Sequence, residues 1–325
     1  METFTFTKAT GVQQAIHAAG QSQTRFIAGG TTLLDLMKLN VERPSQLVDI
    51  NRLPLDQVEK LPDGRLRIGA TVRNSDLAHH PTVVSDYAVL SQALLSGASA
   101  QLRNMATTGG NLLQRTRCMY FRNDAMACNK RTPGSGCSAI EGDNRTLAIL
   151  GASKDCIATN PSDMNVALTA LEATIHIQSA KGEREVPIGD FFLVPGNTPQ
   201  RENVLEPGEL ITFVTLPAPK TGSKQVYLKL RDRASYEFAL SSAAIVAVVS
   251  NGKLDFVRVA MGGVGTKPWR SLEAERALHG KTPDGKVFRQ AAEAALHGAQ
   301  PQSENGFKVQ LAKRCITHAL TLATA

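Results

Sequence analysis

The stretch from Arg117 to Asp155 constrains this chain more than any other feature. It is rich in Gly, Asn and Arg, and neither the helical repeat nor the two-residue strand repeat runs through it. A segment of that length without elements of its own is uncommon inside a compact domain, and is usually functional or disordered. Something has to hold it. Four of the five cysteines, Cys118, Cys128, Cys137 and Cys156, lie inside or at the edge of this excursion, spaced C-x9-C-x8-C-x18-C. Soft thiolate sulfur suits zinc or an iron–sulfur cluster, and the loop residues between ligands let the chain wrap a compact centre. Two disulfides would need an oxidising compartment, and the C-x2-C pairs of zinc ribbons are missing. The spacing favours a metal centre over disulfides or unrelated buried thiols, without choosing the metal. Cys315, in a helical pattern near the end of the chain, reads as a core thiol.

The rest of the chain alternates short strands and helices, an α+β pattern. Residues 24–28 read as a strand running into Gly29-Gly30, followed by a helix with Leu33, Leu34, Leu36 and Met37 on one face. Residues 46–50 and 66–72 read as strands and 87–95 as a helix. Pro161-Ser162-Asp163 opens a helix to about Leu171, with Ser162 or Asn160 as its cap. A boundary falls at 217–223, rich in Pro, Gly and Ser. Beyond it come strands at 225–230, 241–250 and 253–261, then helices at 271–279, 287–297 and 307–322, a sheet with helices on one side. A length of 325 residues suggests two domains, here 1–220 (a subdomain of about 1–55 and a larger one of about 56–220, with the loop 115–157) and 221–325. The net charge of +7 is spread along the chain with no block of five like charges, which reads as a solvated basic surface and not a nucleic-acid partner. The longest apolar stretch, Ala239 to Val249, is too short to span a bilayer. The first residues show no secretion signal.

Two glycine turns could hold phosphates: residues 26–34 (Phe26, Ile27, Ala28, Gly29, Gly30, Thr31, Thr32, Leu33, Leu34) and residues 106–112 (Ala106, Thr107, Thr108, Gly109, Gly110, Asn111, Leu112). Paired glycines let the backbone approach an anion, and the threonines add hydroxyl donors. Neither turn is G-x-G-x-x-G or a P-loop. Each alone is only a turn. Two with matching threonines, plus Pro161-Ser162-Asp163 at a helix start, suggest a split pyrophosphate site.

Together these motifs resemble the flavoprotein subunit of the molybdenum hydroxylases, the group of xanthine dehydrogenase, aldehyde oxidoreductases and aerobic carbon monoxide dehydrogenase. The resemblance covers essentially the whole chain. Ala28-Gly29-Gly30-Thr31 and Thr107 to Leu112 are similar to the first and second flavin loops, and Pro161-Ser162-Asp163 with Ala167-Leu168 and Ala170-Leu171 to the third. Asp190-Phe191-Phe192, Pro195-Gly196 and Gly208-Glu209-Leu210 also fit. The cysteine excursion, with Arg115 to Cys118 and Pro133 to Cys137, is most similar to the flavin subunit of bacterial periplasmic aldehyde oxidoreductases. There the four loop cysteines hold a [4Fe-4S] cluster.

The resemblance implies a vanillyl-alcohol-oxidase-type (PCMH) FAD-binding fold of two subdomains, followed by a C-terminal α/β domain of the carbon monoxide dehydrogenase flavoprotein type. It implies FAD on the backbone of Phe26 to Leu34 and near Thr107, Gly110 and Asn111. Asp163 would bond the ribityl or ribose, and Ile211 and Lys229 would lie by the isoalloxazine ring. It implies a [4Fe-4S] cluster on Cys118, Cys128, Cys137 and Cys156. It also implies a heterotrimer with a molybdenum-cofactor subunit that oxidises an aldehyde and a small [2Fe-2S] subunit, in which this chain passes electrons to an external acceptor. It supplies no catalytic acid or base. The complex would be periplasmic by co-export with a signal-bearing partner, or else cytoplasmic. A stand-alone FAD oxidoreductase, a subunit of a xanthine- or aromatic-hydroxylating relative, and a zinc-stabilised binding module are the competing readings. For the first of these the sequence offers no suitable base, since His79-His80 read as a helix end.

Overall fold

The computed structural model describes residues 1–20 and 23–325. Among them are three sheets. Strands β1 (Thr5–Lys8), β2 (Thr24–Ile27) and β3 (Gln46–Asp49) form a small parallel sheet in the order β1-β3-β2. Strands β4 (Val58–Lys60), β5 (Leu66–Gly69), β6 (Thr174–Ser179), β7 (Gly182–Pro187) and β8 (Leu210–Leu216) form an antiparallel sheet in the order β4-β5-β8-β6-β7. Strands β9 (Lys224–Leu230), β10 (Ser241–Ser250), β11 (Lys253–Gly262) and β12 (Trp269–Arg270) form the third, in the order β12-β11-β10-β9.

The third sheet is buried on both faces, which is why residues 243–248 read as a continuous apolar run and not as an alternation. Ile245, Ala247, Val257 and Val259 pack under the helices Leu272–Leu278, Gly285–Ala295 and Phe307–Thr324. Tyr227, Ala244, Val246 and Ala260 on the opposite face join the core of the second sheet and the helices Ala88–Ser96 and Asp163–Ala170. Cys315 lies in the first of these two cores, as its helical setting suggests.

The helix Asp163–Ala170 is capped by Ser162, whose hydroxyl accepts from the Asn165 N–H at 3.1 Å. Asn160 acts one step earlier, accepting from the Ser162 N–H.

The excursion contains a single helical turn, Met119–Arg122. Side chains do there what ladders do elsewhere, satisfying the backbone polar groups. The Asn129 amide oxygen accepts from the N–H groups of Gly134 and Gly136, both in the left-handed region at φ 85° and 92°. The Arg131 guanidinium donates to the carbonyls of Tyr120, Phe121 and Met126. The far end of the excursion is clamped to the third sheet's domain. Asn305 donates to the carbonyls of Asn144, Leu147 and Ala148, and Ile149 and Leu150 donate to Val264 O. Lys308, fully buried, donates to the carbonyls of Thr146, Leu147 and Gly263.

Candidate cofactor site

The first glycine turn is shaped by the approach to the second. A Cβ on Gly29 would stand 2.0 Å from the Met105 carbonyl oxygen, so only glycine lets β2 run past the residues that lead into Thr107. Gly30, at φ 70°, then turns the chain into the helix Leu33–Lys38. In the second turn Thr107 caps a short helix, its hydroxyl accepting from the Gly110 N–H at 3.3 Å. Thr108 bonds the Val72 carbonyl through both its N–H and its hydroxyl, and Gly109 N–H bonds Ala70 O. The third turn is tied to the second by the Ser162 hydroxyl, which donates to Asn111 Oδ1 at 2.7 Å.

These turns border one cleft of about 580 Å3, lined by Thr31, Thr32, Gly110, Asn111, Asp163 and Lys229 among others. That volume is in the range of a small-molecule or cofactor site. Of the other expected residues, Phe26 packs with the apolar cluster behind the parallel sheet, Ala28 with it, and Ile27, Leu33 and Leu34 with Met37 and Leu47. They support the loop from behind and do not line the cleft.

Ile211, expected beside Lys229 at the isoalloxazine ring, is not among the residues that line the cleft. It stands in β8 opposite Ile177, across a break in register, and its side chain is buried in the core of the second sheet. Its neighbour Thr212 bonds Ala70 N–H, so Ile211 lies in the scaffold beneath the second turn. His79, at a helix end, bonds the Ser75 carbonyl and is not among the cleft residues.

The deep wall of the cleft holds a buried ion pair. Lys229 Nζ lies 2.8 Å from Asp163 Oδ2, with the side chains 3% and 8% exposed. The same ammonium donates to Ser96 O at 3.0 Å, a carbonyl shared with Arg231. Tyr227, two residues from Lys229 on β9, donates its hydroxyl to the other oxygen of Asp163. Burial, and then the Asp163 charge, raise Tyr227 well above the usual phenol range, so it stays a donor.

Sequence reasoning missed Tyr227 and a set of arginines. Arg103, Arg117 and Arg122 line the cleft, with Asn74. Arg117 and Arg122 share the single carboxylate of Asp35, at 3.8 and 2.6 Å. Burial, then the neighbouring Arg122 charge, push the Arg117 guanidinium below its ordinary range. Arg103 Nε, Arg117 Nη1, Arg122 Nη1 and Asn74 Oδ1 are buried with no hydrogen-bond partner among the described residues. Buried guanidinium groups left with unused donors fit an anionic ligand, as the diphosphate of FAD is. Nothing in spacing marks these arginines as a group, because they come together from two separate helices and a loop.

Next to this cleft the cysteines share a small core of their own. Cys118, Cys128 and Cys156 are buried, Cys137 packs against them, and all four are free thiols. Cys128 and Cys137 face each other in an isolated antiparallel bridge. The N–H groups of Phe121 and Tyr120 point at the Cys118 sulfur, yet burial dominates and pushes that thiol up to about 11. Burial likewise raises Cys156, against the Lys130 ammonium and an N–H from Ala158 that favour its thiolate. Four thiols with aimed N–H donors are the donor set an iron–sulfur cluster takes. Among the described residues, however, no three His, Cys, Asp or Glu side chains come together closely enough to hold a metal ion. The thiols are gathered into one region.

Comparison with known proteins agrees with the cleft. Residues 2–219 match the model of the FAD binding domain in molybdopterin dehydrogenase, and residues 226–323 that of the CO dehydrogenase flavoprotein C-terminal domain. The aldehyde oxidoreductase FAD-binding subunit PaoB of Escherichia coli is 50% identical, the match covering 100% of this chain and 99% of that one. The glyceraldehyde dehydrogenase medium chain of Sulfolobus acidocaldarius is 30% identical, over 93% of this chain and 90% of that one. Among solved structures, a carbon monoxide dehydrogenase chain from Hydrogenophaga pseudoflava superposes with a TM-score of 0.79 at 26% identity, covering 99% of this chain and 98% of that one. A cleft with unused arginine donors between glycine turns, two domain matches spanning nearly the whole chain and full-length relatives together make this chain an FAD-binding oxidoreductase subunit of the molybdenum hydroxylase family.

Proposed function

We propose that this chain is the electron-transfer subunit of a molybdenum-dependent aldehyde oxidoreductase. In this reading it works in a heterotrimer with a molybdenum-cofactor subunit and a [2Fe-2S] subunit. The observation that carries the reading is the full-length similarity to an aldehyde oxidoreductase FAD-binding subunit, joined to a cleft lined by glycine-turn residues, hydroxyls and arginines. FAD supplies the ability to exchange electrons one or two at a time. The chain's own residues position it. The first turn at Gly29-Gly30-Thr31 and the residues Gly110 and Asn111 of the second, with the unused donors of the three arginines, take the diphosphate. Asp163 and Lys229 take the sugar chain and ring end. The two domains divide at about residue 220, and the cleft lies between the turns of the first and β9 of the second. Electrons from aldehyde oxidation arrive through the [2Fe-2S] clusters and leave for an external acceptor.

Cys118, Cys128, Cys137 and Cys156 would hold a [4Fe-4S] cluster in the same reading. What supports it is the donor set, its burial and the similarity just described. The complex is exported together with a signal-bearing partner.

Co-expression with the two partner genes tests the subunit reading. The three chains should co-purify with flavin absorbance at about 450 nm, a property of the cofactor, and this chain isolated alone as an active enzyme would sink it. The cluster has its own test. Cys128→Ser should remove most of the iron and acid-labile sulfide that this chain contributes, because metal binding and the folding of the loop are coupled. Unchanged iron in a soluble Cys128→Ser complex excludes Cys128 as a ligand.

A further inference from the structure

A lysine facing a flavin cleft would ordinarily count as a bare positive charge, one that favours the more negative, reduced flavin. Here it is not bare. Lys229 is bound to Asp163 at 2.8 Å, both side chains lie almost entirely out of solvent, and Tyr227 holds the second carboxylate oxygen. In a low-dielectric setting a charge pair of this kind acts on a third group as a dipole, whereas either member alone would act as a full charge. The three groups come from two separate parts of the chain. Asp163 opens the helix Asp163–Ala170, and Tyr227 and Lys229 share one edge strand of the third sheet. The carboxylate is therefore brought to the lysine by docking of the C-terminal sheet on that helix and not by local sequence.

We propose that Asp163, fixed by Tyr227, is a positioning residue that neutralises Lys229 and thereby keeps the flavin's reduction potential low enough for it to hand electrons on. This rests on the reading that the Lys229 end of the cleft takes the isoalloxazine ring. The unpaired lysine would trap electrons on the flavin; the paired lysine binds the ring's polar edge without doing so. The step concerned is the uptake of two electrons by the flavin from the chain's redox partners and their release to the acceptor, and Asp163, Tyr227 and Lys229 neither gain nor lose electrons in it.

The test is the flavin midpoint potential of the purified complex, followed by absorbance during a redox titration. Asp163→Asn keeps the shape and an acceptor for both donors but removes the negative charge, so the potential should rise. The expected change is at least tenfold in the reduced-to-oxidised ratio, about 30 mV for a two-electron couple. Lys229→Met should lower it. The double variant Asp163→Asn with Lys229→Met, again neutral at this position, should return to within a threefold change of wild type. A purely structural role would make the double variant at least as disturbed as either single one. The proposal is overturned if Asp163→Asn leaves the potential unchanged, or if the double variant fails to restore it. Should Asp163→Asn not fold, Asp163→Ser takes its place, with the same rise expected and an unchanged potential overturning the proposal. The underlying reading fails separately: if neither flavin absorption spectrum nor FAD occupancy responds to Lys229→Met, the ring is not at that end, and the proposal falls with it. A changed spectrum with an unchanged potential leaves the ring where it is placed and overturns the proposal only.

Discussion

A Gly29→Val chain should lose its FAD. The added Cβ would fall 2.0 Å from the Met105 carbonyl oxygen and 2.7 Å from its carbon, both backbone atoms that cannot swing aside. The first turn must move away from the second, and these are the two turns proposed to share the diphosphate. Overpacking of this kind costs about 1–3 kcal/mol, and every ~1.4 kcal/mol is tenfold in affinity. FAD occupancy at fixed free FAD should therefore fall by roughly 10- to 100-fold, read as the ratio of flavin to protein absorbance. Gly189→Ala, at a position where a Cβ meets nothing within 4 Å, is the matched control and should keep its flavin. Wild-type occupancy in Gly29→Val would refute the role given to the first turn.

Lys308→Met should destabilise the fold. The Lys308 ammonium is fully buried and serves three carbonyls, those of Thr146, Leu147 and Gly263. Leu147 O keeps Asn305 as a second donor at 3.3 Å; the other two lose the donor that Lys308 gave them. Thr146 is exposed, so water can replace the donor there; at about 1–3 kcal/mol for the one buried carbonyl left unsatisfied, that of Gly263, the loss is on the order of 1–3 kcal/mol, measurable by urea denaturation of the complex. The same residue imposes a pH dependence with a definite sign. Burial, helped by the nearby Arg145 charge, lowers Lys308 to about 7, against about 10.4 for a lysine in an unfolded chain. Between those values the unfolded chain binds more protons than the folded one, so stability rises with pH through this window. Below about 7 both states hold the proton, and the cost of burying the charge is fully present. Lys308→Met should flatten this part of the stability profile. An unchanged profile would show that Lys308 does not titrate in the folded chain.

Much of the fold was legible because its signals are local. Thr24 to Ile27 runs into paired glycines, Ser162 sits where a cap belongs, and Pro217 to Ser223 interrupts the pattern between the second and third sheets. Periodicity was enough to find the three C-terminal helices, because each has a single apolar face against one sheet. Strands β1, β4, β6, β7, β8 and β12 escaped notice, since short strands offer few residues over which a two-residue alternation can show. The surroundings of Ile211 were not legible for a related reason. A motif position says which residue stands in a strand, whereas the face it shows depends on register, and here the register breaks between His176 and Ile177.

The sequence by itself determined the kinds of group this protein has available: glycines where backbone must pass backbone, hydroxyls beside them, and four thiols in a segment unable to fold on apolar periodicity. Those properties belong to single residues and their neighbours. Only the tertiary structure decided which distant charges meet. It brought Arg117 and Arg122 onto one aspartate with donors to spare, closed Tyr227 and Lys229 over Asp163, and tied the end of the cysteine excursion to Lys308 and Asn305. It also gathered the four thiols into one core. Electrostatic and hydrogen-bond partners across 60 to 160 residues of chain are chosen by the docking of whole elements, and no spacing within the chain encodes that docking directly.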